Sequence, residues 1–242
     1  MKIKIHESLI ILILIALLAG FIKKILLIYS LVLLHEMGHI FACYYQKRRI
    51  ISFELIPFGG IIEFENDKNT NLLSEMLIVM AGPLVNLLLM PFLKGEMAIY
   101  NQIILGFNLL PIFPLDGGRI LEIILMRFFS FKRAVLISLV VSVITIMICA
   151  IYVIFEAFSL SVLLVLVFLL YKNIMQYIKR EERYMFFLTQ KYLYPNPKLK
   201  NHFLKITKKG FMNFFHKGVN NNIGIKEKYK SEKYLLDRFF EK

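Results

Sequence analysis

The chain has 242 residues, 58% of them hydrophobic, and a formal net charge of +13 at pH 7; its mean hydropathy is +0.64. A soluble globular domain carries far less apolar material, so the composition excludes a soluble enzyme and predicts an α-helical polytopic membrane protein. Two cysteines exclude a disulfide framework.

The first apolar run, Leu9 to Ile22, is followed by no small-residue cleavage site, which predicts an uncleaved span rather than a signal peptide. Its 14 residues fall short of the ~20 a bilayer wants, so it borrows Lys23 and Lys24 by snorkelling or sits where the bilayer thins. The second run, Ile25–Tyr45, contains His35-Glu36-Met37-Gly38-His39. Residues four apart project from one face of a helix, so His35 and His39 can bind one Zn²⁺ while Glu36, one residue along, serves as a base. Charged side chains at bilayer depth cost roughly 2.5–3.5 kcal/mol each, which argues that these groups are there for a function. Cys43 continues the stripe, but eight residues of helix rise about 12 Å, too far to share the ion. Cys43 and Cys149 read as buried thiols.

Ile50–Ile56 and Ile61–Glu65 flank Pro57-Phe58-Gly59-Gly60 and read as a β-hairpin. Helical peptide bonds are shielded, so a protease working in lipid needs its substrate extended, and a strand edge can hold such a segment by backbone hydrogen bonds. An ordinary surface hairpin is the alternative. Met76–Leu93 forms the third span, in which Gly82 and Asn86 read as helix-packing residues.

The fourth span, Ile103–Phe129, is interrupted by Asn108-Leu109-Leu110-Pro111-Ile112-Phe113-Pro114-Leu115-Asp116-Gly117-Gly118-Arg119. Two prolines and two glycines break helix hydrogen bonding, and broken backbone at membrane depth is tolerated only where it is buried in protein or lines a wet cavity. Catalytic zinc takes three protein ligands plus water, and Asp116 supplies the third. In a soluble loop the same Asp-Gly-Gly would read as a turn. The Asn108 amide can orient substrate, stabilise an oxyanion or cap the broken helix. Ala134–Phe155 and Ser159–Ile178 complete six expected spans.

A cytoplasmic N-terminus places Lys2, Lys4, Lys47, Arg48, Arg49, Lys68, Arg127, Lys132, Arg133 and the whole tail inside, and only Lys23, Lys24 and Lys94 outside. Both halves of the metal site then lie toward the cytoplasmic face. From Lys172 to Lys242 the chain carries 17 Lys+Arg against 6 Asp+Glu. Attraction to anionic lipid, at about 1 kcal/mol per basic residue, explains this better than nucleic acid, for which no motif is present. His6, His202 and His216 read as solvated.

Four stretches in order, His35 to His39, Pro57 to Gly60, Ala81-Gly82-Pro83-Leu84-Val85-Asn86 and Asn108 to Gly118, make the chain resemble the site-2 proteases, intramembrane zinc metalloproteases. The resemblance implies His35, His39 and Asp116 as ligands of one Zn²⁺ and Glu36 as general base. It also implies substrate contacts at Pro57, Phe58, Gly59, Gly60 and Asn108. Gln46 to Glu75 is too short for the PDZ domain of the envelope-stress branch. Six spans and a cytoplasmic extension resemble instead the stage IV sporulation branch, which activates a membrane-associated sigma-factor precursor. Expected partners are that protein substrate, membrane lipids and multi-pass inhibitory membrane proteins. The enzyme is expected in the bacterial cytoplasmic or forespore-surrounding membrane, with both termini cytoplasmic.

The expected organisation is a protease domain over 1–178, with its core at 25–129, and a tail over 179–242. Within the tail, Leu204 to Phe240 resembles part of a CBS unit, the nucleotide-sensing module of that branch, but is shorter than a complete one, which counts against ATP binding there. A zinc transporter and an inactive scaffold that only binds a sigma precursor are the competing readings. No internal repeat supports the transporter, and its ion would have no use for Glu36.

Overall fold

The structure, a computed structural model, describes residues 2–5, 7, 17–18, 20–48, 50–56, 59–64, 71–156, 158–193, 201–205, 215, 217, 220–225, 228–230 and 236. In chain order the elements are β1 (Lys2–Ile5), α1 (Ile22–Tyr45), β2 (Ile50–Ile56), β3 (Gly59–Phe64) and α2 (Leu72–Leu89), which runs on as a 3-10 turn over Met90–Phe92. There follow α3 (Glu96–Leu109), α4 (Asp116–Phe128), α5 (Phe131–Phe155), α6 (Leu160–Ile178), α7 (Arg180–Leu193), β4 (Asn201–Lys205), β5 (Asn220–Ile225) and β6 (Lys228–Lys230). The chain forms two compact units, Met1–Asp67 with Leu77–Leu109, and Lys68–Met76 with Leu110–Lys242.

Among the described residues, four helices are long and apolar enough to cross a bilayer: α1, α2 with its 3-10 extension, α5 and α6. At 1.5 Å per residue α1 and α5 reach about 36 and 37 Å, beyond the ~30 Å hydrocarbon core. Their outer faces keep large apolar side chains bare, Phe41 at 71% exposure and Phe155 at 80%, as a lipid-solvated surface does. Helices α3 and α4 have 14 and 13 residues, and at about 20 Å each neither crosses alone. The expected first span, Leu9–Ile22, falls mostly outside the described residues.

In the first unit, β2 and β3 pair antiparallel, with Phe53 opposite Ile62 and Leu55 opposite Gly60. Strand β1 adds a parallel partner to the far side of β2, with Ile3 opposite Phe53, giving the order β1-β2-β3. The hairpin is thus backed by the N-terminus, and β3 forms a margin of the sheet. Pro57 and Phe58 lie outside the described residues.

Helix α1 closes with Lys47 at φ 56°, where the Arg48 N–H reaches the Cys43 carbonyl at 3.0 Å and the Lys47 N–H that of Tyr44 at 2.9 Å. This left-handed turn satisfies carbonyls that would otherwise be orphaned. Helix α2 begins at Leu72, ahead of the expected Met76, because Asn71 caps it. Its side-chain oxygen accepts from the Leu73 N–H and its carbonyl from the Glu75 N–H, both at 3.3 Å. Helices α1 and α2 come close at Gly38, where a Cβ would stand 2.6 Å from the Ala81 carbonyl oxygen and 2.8 Å from Val85 Cγ2. Only glycine permits that crossing.

In the second unit the amphipathic α7 buries Tyr184, Phe187, Leu188 and Lys191, one face of a helix by spacing. Tyr184, Phe187 and Leu188 share a core with Met126, Phe131 and Val135, to which the tail contributes Phe215 and Leu236. Phe131 and Phe187 stack with ring centroids 4.4 Å apart, and the Phe131 N–H donates to the Phe215 carbonyl at 3.0 Å. Arg183 forks onto Glu122 of α4 at 2.7 and 3.3 Å, and Lys217 pairs with Glu75 at 2.7 Å. The tail's own sheet has β4 parallel to β5 and β6 antiparallel to it.

Candidate metal centre

The helical run of α1 turns His35, Glu36 and His39 inward, at 3, 7 and 8% exposure, while Met37 between them stays 60% exposed. The two histidines present their Nε2 atoms to each other at 3.2 Å. Two nitrogens bound tetrahedrally to one zinc at 2.0–2.1 Å would lie roughly 3.3 Å apart, so the pair already has the separation one ion requires.

What turns those nitrogens inward comes from α2. The His39 Nδ1 lies 2.8 Å from the Ile78 carbonyl oxygen, which can only accept, so Nδ1 carries the proton and Nε2 keeps its lone pair. The His35 Nδ1 lies 3.0 Å from Asn86 Oδ1, which sets the same tautomer. Fixing a ligating imidazole through its other nitrogen is how metal sites orient their histidines. Asn86 is itself fully buried and held in place, its carbonyl accepting from Asn101 Nδ2 at 2.8 Å.

Gly82 faces the same point. A Cβ there would stand 2.6 Å from His35 Nε2 and closer still to His39 Nε2. Only a residue without a side chain fits where the two imidazole nitrogens converge. Nitrogen donors of this softness with room between them fit Zn²⁺.

Glu36 accepts a hydrogen bond from the Gly60 N–H at 2.8 Å. Gly59 has φ 140°, and a Cβ on it would stand 3.0 Å from Glu36 Oε1. Gly59 thus allows the close approach of backbone to this carboxylate that the Gly60 N–H uses. Asn108, in the last turn of α3, donates from Nδ2 to its own helix at Ile104 O, 3.1 Å away.

In the second unit Asp116 is the first residue of α4, where the helix N-terminus favours a carboxylate. The preceding segment folds back so tightly that a Cβ on Gly118 would stand 2.6 Å from the Ile112 carbonyl. Cys43 is fully buried and forms no disulfide with Cys149.

His35, Glu36 and His39 are legible in the sequence, whereas the groups that hold them are not. Gly82 and Asn86, expected as helix-packing residues, do face α1, and what they meet there is the two histidines. The one signal available was a polar Asn in an apolar span. Nothing local marks Ile78, whose contribution is a backbone carbonyl.

The model of peptidase family M50 matches residues 23–94. Stage IV sporulation protein FB of Bacillus subtilis is 30% identical over 230 residues, covering 89% of this chain and 80% of that protein. A zinc metalloprotease of Methanocaldococcus jannaschii is 30% identical over 129 residues, covering 47% of this chain and 37% of its own. Among solved structures, the site-2 protease from Methanocaldococcus jannaschii superposes with a TM-score of 0.55 at 24% identity, over 72% of this chain and 89% of that one, a likeness of fold.

Proposed function

Since the chain belongs to peptidase family M50, the site-2 proteases, we propose that it is an intramembrane zinc endopeptidase that cuts a membrane-associated protein near the cytoplasmic face. The observation that carries this reading is that His35 and His39 bring their Nε2 atoms to 3.2 Å of each other on the helix that also carries the buried Glu36. The proposed ligands of a single Zn²⁺ are His35, His39 and Asp116, and Glu36 is the proposed base. Zinc bound there would supply Lewis acidity to the scissile carbonyl and to a water.

The chain's own residues do the rest. Ile78 and Asn86 keep the two histidines in the ligating tautomer, and Gly82 keeps their meeting point open. Glu36 takes the proton of the attacking water and delivers it to the leaving amine. The Gly60 N–H holds that carboxylate in place meanwhile. The proposed substrate lies extended along the margin of β3, in contact with the loop from Pro57 to Gly60 and with Asn108.

The proposed layout has six spans within 1–178, both termini in the cytoplasm, and 179–242 as a basic tail on the inner leaflet. The distribution of Lys and Arg supports it. A relative matched over most of its length is a sporulation protein, which supports a sporulation sigma-factor precursor as the substrate. Co-expression of the chain with such a precursor tests the proposal by product size. A shortened product is expected with the wild type and none with Glu36→Gln. An uncut precursor, or the same product with both, would overturn it.

A further inference from the structure

Between α3 and α4 the backbone leaves the helix, and at membrane depth each released N–H and C=O must find a partner inside the protein. Part of that demand is met locally: the Ile112 N–H reaches the Leu110 carbonyl at 2.7 Å and the Leu115 N–H that of Ile112 at 2.8 Å. The backbone N–H and C=O of Phe113 are met from two other helices. Its N–H donates to Ser142 Oγ of α5 at 3.0 Å, and its carbonyl accepts from Asn173 Nδ2 of α6 at 2.7 Å. Ser142 and Asn173 are 0 and 2% exposed, and neither belongs to any motif that marks the site.

We propose that Ser142 and Asn173 are positioning residues for Asp116, clamping the backbone of Phe113 by its N–H and its C=O so that α4 restarts at one fixed place. The inference rests on the reading of Asp116 as a zinc ligand. Two residues, Pro114 and Leu115, separate the clamp from Asp116, and Pro114 has no N–H with which to make an alternative bond. The clamped residue also has no slack. A Cβ on Gly118 would stand 2.8 Å from the Phe113 nitrogen, so a shift of Phe113 presses on the first turn of α4, which carries Asp116. Asn173 is anchored in turn by a second bond from Nδ2, to the Leu169 carbonyl at 2.8 Å.

The test is zinc affinity of the purified full-length protein in detergent, measured by competition with a chelator, for wild type, Asp116→Asn, Ser142→Ala, Ser142→Thr and Asn173→Leu. Ser142→Ala and Asn173→Leu are expected to weaken zinc binding per folded molecule about 10-fold, the low end for the loss of an outer support of a ligand. Ser142→Thr keeps the hydroxyl and is expected to bind as wild type does. In an Asp116→Asn background Ser142→Ala is expected to add nothing, because the clamp acts only through Asp116.

A merely structural pair would lower the melting temperature and leave the affinity of folded molecules unchanged, or would weaken it equally without Asp116. Either result overturns the proposal. If Asp116→Asn itself binds zinc like wild type, the ligand reading is what has failed, and the clamp's assigned role falls with it. Should Asn173→Leu not fold, the comparison of Ser142→Ala with Ser142→Thr decides.

Discussion

The carboxylate of Glu36 is held by the backbone of Gly60, whose N–H donates to Oε1 at 2.8 Å. The proposed base on α1 is therefore tied to the start of β3, the strand proposed to align substrate. A side chain at residue 60 would not be needed for this bond, but space around the carboxylate is.

Glu36→Gln keeps an oxygen for the Gly60 N–H and leaves both histidines untouched. Cleavage is expected to fall about 10²- to 10⁴-fold, the usual worth of general base catalysis, with zinc content per folded chain unchanged. Product quantification beside metal analysis checks this, and substantial residual proteolysis would remove Glu36 from the role.

Gly59→Ala places a side chain at φ 140° and against Glu36 Oε1. Backbone and carboxylate must then separate, so cleavage drops while zinc stays bound. On the same strand, proline at Ile61 or Ile62 removes one backbone donor. The two N–H groups point to opposite sides of β3. One of the prolines is thus expected to damage pairing with β2, and the other to leave the hairpin intact and cost substrate binding. Equal, undiminished cleavage by both would disconnect the strand from substrate.

Gly82→Ala is expected to abolish zinc binding in protein that still folds, because the added methyl lies where the histidine nitrogens meet. Asn86→Leu, similar in volume but unable to accept from His35, is expected to weaken zinc 10- to 100-fold, as loss of a histidine's outer partner does. Asn86→Asp retains the acceptor and is expected to recover most of the affinity. Zinc titration of the three variants separates vacated space from hydrogen bonding.

Phe215→Ala empties a fully buried position in the α7 core and is expected to cost about 3–5 kcal/mol of local stability. Limited proteolysis should then cut the tail faster while the membrane-embedded part stays protected. Lys217→Ala, which removes the pairing with Glu75, is expected to do the same more weakly. An unchanged digestion pattern in Phe215→Ala would show that the tail is not anchored there.

The sequence by itself determined the family and the approximate apolar spans. His35 and His39 are legible because helix geometry fixes what residues four apart can do, and an acid or a proline inside an apolar run stands out against lipid. The span ends shifted where a cap decided them, as Asn71 does for α2. Tertiary structure decided which groups hold the site. Ile78 and Asn86 stand 39 and 51 residues from the histidines they orient, and Ser142 and Asn173 stand 29 and 60 from the residue they clamp. A serine or asparagine in an apolar helix looks the same in sequence whichever way it points. Its partner is chosen by how helices pack, and the N-terminal strand and the Phe215 anchor are fixed by the same long-range contacts.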